Sequence, residues 1–184
     1  MTYRTALFSV LLFASPLAWP QASPNAPAPA PAQRTTIFAG STVPNPSYER
    51  VSQHDTGHAE AVRLTYDVRK ISYAQLLEIF WRNIDPFDAG GQFCDRGDSY
   101  RAEIFYGNAE ELQLAEASRA AVQKRFGKPI ATRITAAAAF YPAEQYHQDY
   151  HLKNPLRYKF YRSGCGRDSR LEAVWGREAR ARQP

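Results

Sequence analysis

Val62, Leu64 and Tyr66 alternate with Arg63 and Thr65, the period-two pattern of a strand with one buried face. Thr36-Ile37-Phe38-Ala39 reads as a short buried strand ahead of it. After Tyr66 the period changes. Leu76, Leu77, Phe80, Trp81 and Ile84 share one helical face, and Ser72 with Gln75 places a capping box at its start. Tyr100 to Tyr106 returns to strand character. Asn108 and Glu111 then open a second helix, which runs through Leu112, Ala115 and Val122 and stops at Gly127. Pro129 to Ile134 predicts another strand and Ala143 to Leu152 a short helix closed by Asn154-Pro155. Asp168 is expected to cap a last helix ending at Trp175-Gly176. The order β-β-α-β-α-β-α-α predicts an α+β single domain, a small mixed sheet with helices packed on it.

The first 34 residues follow a different logic. Arg4 precedes the apolar run Ala6-Leu7-Phe8-Ser9-Val10-Leu11-Leu12-Phe13-Ala14, with small residues around Ala18 and Ala22. That layout predicts a secretory signal peptide over 1–22, since the run is shorter than the roughly 20 apolar residues a membrane span needs. The Pro/Ala tract after it reads as an extended linker over 23–34. The expected domain then covers 35–176, a basic C-terminal tail 177–184, and the expected compartment is periplasmic or secreted, with no stable membrane insertion once the signal is removed.

Composition narrows the function classes. The 184 residues are 44% hydrophobic and 22% charged, which supports one real core and excludes a disordered tail or a coiled coil. The charge of +5 arises from 23 basic and 18 acidic residues, a mixed surface that gives no reason to invoke nucleic acid. Two cysteines, Cys94 and Cys165, are too few for a disulfide framework.

The candidate chemistry is sparse. Glu144, His147 and His151 have the spacing of one helical face and could hold a metal, but the pattern is not HExxH and a wet helix face explains it equally. His54 and His58 are separated by Gly57, which argues against a shared face. There is no Gly-x-Ser-x-Gly elbow and no phosphate loop. Between Ile84 and Tyr100 runs a long stretch without strand or helix periodicity, of the kind that carries function more often than not. Glu60 stands where a loop becomes a buried strand. A carboxyl entering an apolar setting there is held protonated and suits a proton donor, although an exposed edge carboxylate fits the same position.

Several blocks then become recognisable. Pro44-Asn45-Pro46-Ser47-Tyr48-Glu49, Thr56-Gly57-His58-Ala59-Glu60-Ala61-Val62 and Phe80-Trp81-Arg82-Asn83-Ile84-Asp85-Pro86 come in that order. They are followed by Gln92 to Arg101, Phe140 to Tyr150 and Cys165-Gly166-Arg167-Asp168. From Thr35 to Gly176 the chain resembles the methionine sulfoxide reductase A family, the peptide-methionine (S)-S-oxide reductases. The resemblance implies thiol chemistry. A thiolate attacks the sulfoxide sulfur of an oxidised-methionine peptide or protein while a carboxylic acid protonates the oxygen, and the resulting sulfenic acid is resolved to a disulfide. It implies no prosthetic cofactor, only a thioredoxin-like protein or dithiol as reductant. Glu60 matches the acid, Asp95 and Tyr100 the groups that hold the oxygen, and Cys165 a resolving cysteine.

One departure matters. The family's nucleophile lies in a Gly-Cys-Phe-Trp motif directly after its first strand. With Thr36 to Gly40 taken as that strand, the motif, the following helix and one further strand are missing between Gly40 and Ser41. That reading predicts an uncovered sheet edge and marginal stability. Ser41 offers no sulfenic acid, so it cannot substitute. Cys94 is the thiol left to attack in its place, although the neighbouring Asp95 works against thiolate; a disulfide between Cys94 and Cys165 is the alternative use of both. Three functions stay open: a reductase working through Cys94, a binding module for oxidised methionine, and an internally deleted chain without function.

Overall fold

The computed structural model describes residues 3–9 and 33–179. Its centre is a six-stranded sheet in the order β7-β6-β1-β3-β2-β8. In chain order the strands are β1 (Tyr3–Ser9), β2 (Gln33–Ala39), β3 (Ala59–Asp67), β6 (Glu103–Tyr106), β7 (Arg133–Ala136) and β8 (Tyr141–Pro142), with β4 (Gly91–Gln92) and β5 (Asp95–Arg96) forming a separate hairpin. All pairs are antiparallel except β6 with β7, so the sheet is mixed, as expected. The helices are α1 (Tyr48–Ser52), α2 (Tyr73–Trp81), α3 (Ala109–Phe126), α4 (Tyr150–Lys153), α5 (Pro155–Gly164) and α6 (Arg167–Trp175).

Side-chain alternation along the strands builds two cores. Ala6 and Phe8 of β1 join Val62, Leu64 and Tyr66 of β3 on the face covered by α2, α3 and α6, where Leu76, Phe80, Trp81, Ala115 and Trp175 pack. Leu7, Ile37, Ala39, Ala59, Ala61 and Phe105 form the core of the other face. Two of the three expected caps are made. Ser72 Oγ accepts from the Gln75 amide while the Gln75 side chain accepts from the Ser72 amide, and Asn108 Oδ1 accepts from the Glu111 amide at 2.9 Å. The second helix ends at Gly127, whose φ of +62° gives the left-handed stop. Ser72→Ala is expected to cost about 1 kcal/mol in urea unfolding.

The structure differs from the sequence reading at five places. Tyr3–Ser9, inside the stretch read as a signal peptide, is a central strand: Tyr3 to Phe8 pair with Asp67 to Val62, and Leu7 to Ser9 with Phe105 to Glu103. A short apolar run satisfies a strand buried on both faces and a signal segment equally well, so periodicity could not separate them. β1 fills the place between β6 and β3, so no gap opens in the sheet beside β3. Gly40 continues directly into Ser41, whose hydroxyl donates to the Thr56 carbonyl at 2.6 Å. β1 is an additional strand ahead of β2 (Gln33–Ala39), and no cysteine follows either strand before Cys94. Residues 10–32 lie outside the described part, and with them most of the 23–34 linker; Gln33 and Arg34 belong to β2. Of the expected tail, 180–184 lie outside it as well, and Gly176–Glu178 form a single helical turn.

The other differences are local. The strand expected over Pro129–Ile134 is shifted to Arg133–Ala136, because β7 takes its register from β6. The helix expected from Ala143 starts only at Tyr150, since the Gln148 side chain holds the preceding segment against β2 by bonds to Thr36 and Ala143. Asp168 does not cap α6: Gly166 stands at the N-cap, and the Asp168 carboxylate pairs with Arg162 at 2.5 Å. No described helix is long and apolar enough to cross a membrane.

Candidate active site

Glu60 is the second residue of β3, where the sheet ends and the loop through Gly57 begins. It faces the same side as Val62 and Leu64, so the apolar core begins directly beyond it. The residue keeps a partial opening to solvent, yet Oε1 is buried and has no hydrogen-bond partner. Burial first, and the nearby Asp95 carboxyl second, push its pKa up to about 8. At neutral pH the group is a carboxylic acid with an O–H to give.

Three side chains gather around it. Asp95 opens β5, and burial raises its pKa too, against the opposing effects of the Tyr161 hydroxyl that donates to it and of Arg167. Tyr100 closes the helical turn Asp98–Tyr100 and shares a hydrogen bond with the phenol of Tyr48. Both phenols are raised, by burial first and then by Glu60. The protonated Glu60 and the two phenols thus gather as neutral donors, with the Asp95 carboxyl beside them accepting from Tyr161. Such a pocket suits a neutral, strongly accepting oxygen and repels a cation no more than an apolar wall does.

The long stretch before Tyr100 is not structureless. Asp85 and Gln92 lock it at its base: the Asp85 amide donates to the Gln92 side chain at 2.9 Å, which returns a bond to the Asp85 carbonyl at 3.0 Å. Between β4 and β5 the turn is just Phe93-Cys94, with Phe93 left-handed at φ +55°. A two-residue turn escapes periodicity analysis, because four strand residues are too few to show a period. Gly97, at φ +118°, leaves room for the His54 ring, which a Cβ would strike, and His54 packs edge-on to Tyr100.

Arg101 binds the loops together. Its guanidinium contacts Glu103 at 2.7 Å, Asp98 at 2.6 Å and the Gly57 carbonyl at 3.1 Å, with Arg101 only 5% exposed and Glu103 2%. The loop carrying Tyr100 and the one leading into Glu60 are therefore fixed to one cation. Arg101→Ala leaves Glu103 buried and uncompensated. A loss of about 3–5 kcal/mol in urea unfolding is expected.

Of the sequence candidates, Glu60, Asp95 and Tyr100 converge. Cys94, at the exposed hairpin tip, is disulfide-bonded to Cys165 at the end of α5, with Cα atoms 5.0 Å apart. The carboxyl of Asp95 is beside this bond, Cys94 Sγ lying 3.9 Å from Oδ2. A small cavity next to it is lined by Phe93, Asp95, Tyr158, Tyr161, Cys165 and Arg167. The histidine triplet does not share a face. Glu144 accepts from the Tyr48 amide at 2.9 Å, His147 stacks between Tyr48 and Tyr146, and His151 packs on Tyr158. His58 is buried, with Nε2 2.8 Å from the Val43 carbonyl. Among the described residues, the group with metal-ligand spacing is Cys94, Asp95 and Cys165, and both sulfurs are engaged with each other.

Tyr48 and Tyr161 were not singled out by the sequence. Tyr48 lies in a recognised block, but nothing in its spacing says that α1 aims it at Glu60. Tyr161 approaches Asp95 across 66 positions.

Comparison with known proteins agrees with this geometry. Residues 27–179 match the family model described as peptide methionine sulfoxide reductase. The chain is 50% identical over 143 residues to the peptide methionine sulfoxide reductase MsrA of Bacillus licheniformis, covering 77% of this chain and 79% of that one. It is likewise 50% identical over 141 residues to MsrA of Bacillus subtilis, covering 76% and 80%. Among solved structures, the reduced form of Mxr1 from Saccharomyces cerevisiae is similar with TM-score 0.63 and 32% identity over 67% of this chain and 71% of that one. MsrA of Corynebacterium diphtheriae shares the fold at TM-score 0.65 and 23% identity, covering 84% and 76%. The family match begins after β1, so the central strand is the one element of the sheet that lies wholly outside it. The chain belongs to the peptide methionine sulfoxide reductase family.

Proposed function

We propose that this chain binds the sulfoxide of an oxidised methionine, with Glu60 giving the proton to the sulfoxide oxygen and Asp95, Tyr48 and Tyr100 completing the pocket. The single observation that carries the reading is the Glu60 carboxyl: buried at Oε1, without a partner, and held protonated. A sulfoxide oxygen is a strong acceptor with no proton of its own, so a neutral acid with a vacant O–H is its complement. The family's usual position for the attacking thiol, after the first strand of the matched region, holds no cysteine here, because none follows β2 before Cys94. Any turnover therefore draws on Cys94 and Cys165, with a small dithiol or a thioredoxin-like protein as the reductant.

The reading is tested by calorimetric titration with a peptide carrying methionine-S-sulfoxide, beside its thioether and its R epimer. The S-sulfoxide peptide is expected to bind and the thioether at least tenfold more weakly. Affinity should fall at least tenfold from pH 6.5 to pH 9.5, since Glu60 is a donor below about 8 and an oxygen-repelling anion above it. Equal affinity for sulfoxide and thioether would sink the proposal.

A further inference from the structure

Resting on that reading, we infer that Cys94 is the attacking sulfur of a two-cysteine cycle whose oxidised product is the Cys94–Cys165 bond seen in the structure. The attacking atom has moved from the strand to the tip of the β4–β5 hairpin.

Three features of the geometry carry this. First, the sulfur is beside the oxygen pocket: Cys94 is adjacent in sequence to Asp95, its Sγ is 3.9 Å from the Asp95 carboxyl, and that carboxyl is the charged neighbour of Glu60. Attack on sulfur and protonation of oxygen need groups on two sides of one S–O bond, and these groups share Asp95 as a wall. Second, Cys94 is exposed on a two-residue turn, open to a methionine side chain, whereas Cys165 is half-buried against the cavity walls. That sorts the pair into an attacking and a resolving partner. Third, the surroundings offset the repulsion expected from Asp95. Its carboxyl receives the Tyr161 hydroxyl, and the Arg167 guanidinium lies 4.7 Å above the Phe93 ring next to Cys94. Cys165 directly precedes Gly166, the N-cap of α6, where helix amides favour a thiolate.

The steps balance. In the reduced chain the Cys94 thiolate gives its electron pair to the sulfoxide sulfur while Glu60 protonates the oxygen. The substrate S–O bond breaks, the thioether leaves, and the oxygen ends on Cys94 as a sulfenic acid. Cys94 is thereby oxidised and the substrate sulfur reduced. Cys165 then attacks the Cys94 sulfur, the S–O bond breaks, water departs with the proton from Cys165, and the disulfide forms. A dithiol reductant exchanges with the disulfide and restores both thiols.

The experiment uses the full chain reduced with dithiothreitol, freed of reductant, and mixed with methionine-S-sulfoxide peptide in a single turnover. The wild type is expected to release one equivalent of thioether peptide and to re-form the 94–165 bond, read by non-reducing mass mapping. Cys165→Ser should also release one equivalent and leave Cys94 as a sulfenic acid that dimedone traps. Cys94→Ser should release none. Both variants lack the disulfide, so folding loss alone would silence them together, and Cys165→Ser serves as the folding control. Peptide bound but not reduced by the wild type overturns this inference and leaves the binding proposal standing. Release by Cys94→Ser equal to wild type overturns it as well, and absence of binding removes both.

Discussion

A chain beginning at Ser23 will not fold. Without residues 1–22 the sheet loses β1, which pairs with β3 over six positions and with β6 over three, and the two halves no longer share a hydrogen-bonded neighbour. The loss is not confined to backbone bonds. Phe8 is 3% exposed and stacks on Phe80 at 5.2 Å and Tyr73 at 6.0 Å, Leu7 belongs to the opposite core, and the Ser9 hydroxyl reaches the Arg101 carbonyl at 2.6 Å and the Glu60 carbonyl at 3.0 Å. Burying a single large apolar side chain contributes about 1.5–3 kcal/mol. A domain's whole stability is roughly 5–15 kcal/mol. Removing a strand buried on both faces exceeds it. Circular dichroism is expected to show a cooperative melt for the full chain and none for the shortened one. Phe8→Ala, a milder test, should cost about 3–5 kcal/mol. A shortened chain melting at the full chain's temperature would show that β1 is dispensable.

Replacing Glu60 with glutamine will raise stability while removing catalysis. The Glu60 pKa is about 8 in the fold against an ordinary 4.5, so its contribution is fully present below about pH 4.5 and is lost as pH climbs toward 8. At 1.36 kcal/mol per unit, the wild type pays about 5 kcal/mol for this group above pH 8. Asp95, also raised, adds in the same direction. His147, lowered by burial, acts oppositely near and below pH 6.5, and Asp67, held well below its ordinary range by Arg69, is flat above pH 5. The difference between wild type and Glu60→Gln isolates the one group. Urea unfolding at pH 5 and pH 8.5 should show the variant gaining several kcal/mol relative to wild type between the two. The amide still donates, so sulfoxide binding should persist and lose its pH dependence, while single-turnover release of thioether disappears for want of a proton. A pH-independent stability difference would place Glu60 in water instead of in the site.

These two expectations mark how far sequence reasoning reached. Glu60 was legible as a candidate because the chain changes from loop to alternating strand at Ala59–Val62, a position that fits a buried acid and an exposed edge carboxylate alike until the family resemblance implies the acid. α2 and α3 were legible for the same kind of reason: a capping residue, an apolar face and a glycine stop are all written within a few positions. β1 was not legible as a strand, because seven residues with one apolar core cannot say what they pair with. A signal segment and a central strand have the same composition, and only neighbours 54 to 98 residues away, in β3 and β6, distinguish them. The family match begins at residue 27, so Thr36–Gly40 is the first strand within it, and no cysteine follows that strand before Cys94.

Thus the sequence by itself determined the family, the α+β class, the caps of α2 and α3 and the fact that just two sulfurs are available as thiols, and it singled out Glu60, Asp95 and Tyr100 as candidates. Only the tertiary structure decided that the apolar N-terminus is the spine of the sheet, that Tyr48 and Tyr161 belong to the pocket, and that Cys94 meets Cys165. The physical reason is range. Capping, alternation and turn chemistry act over fewer than ten residues and are printed in the chain, whereas strand partners and a bond spanning 71 positions are chosen by the packing of the whole.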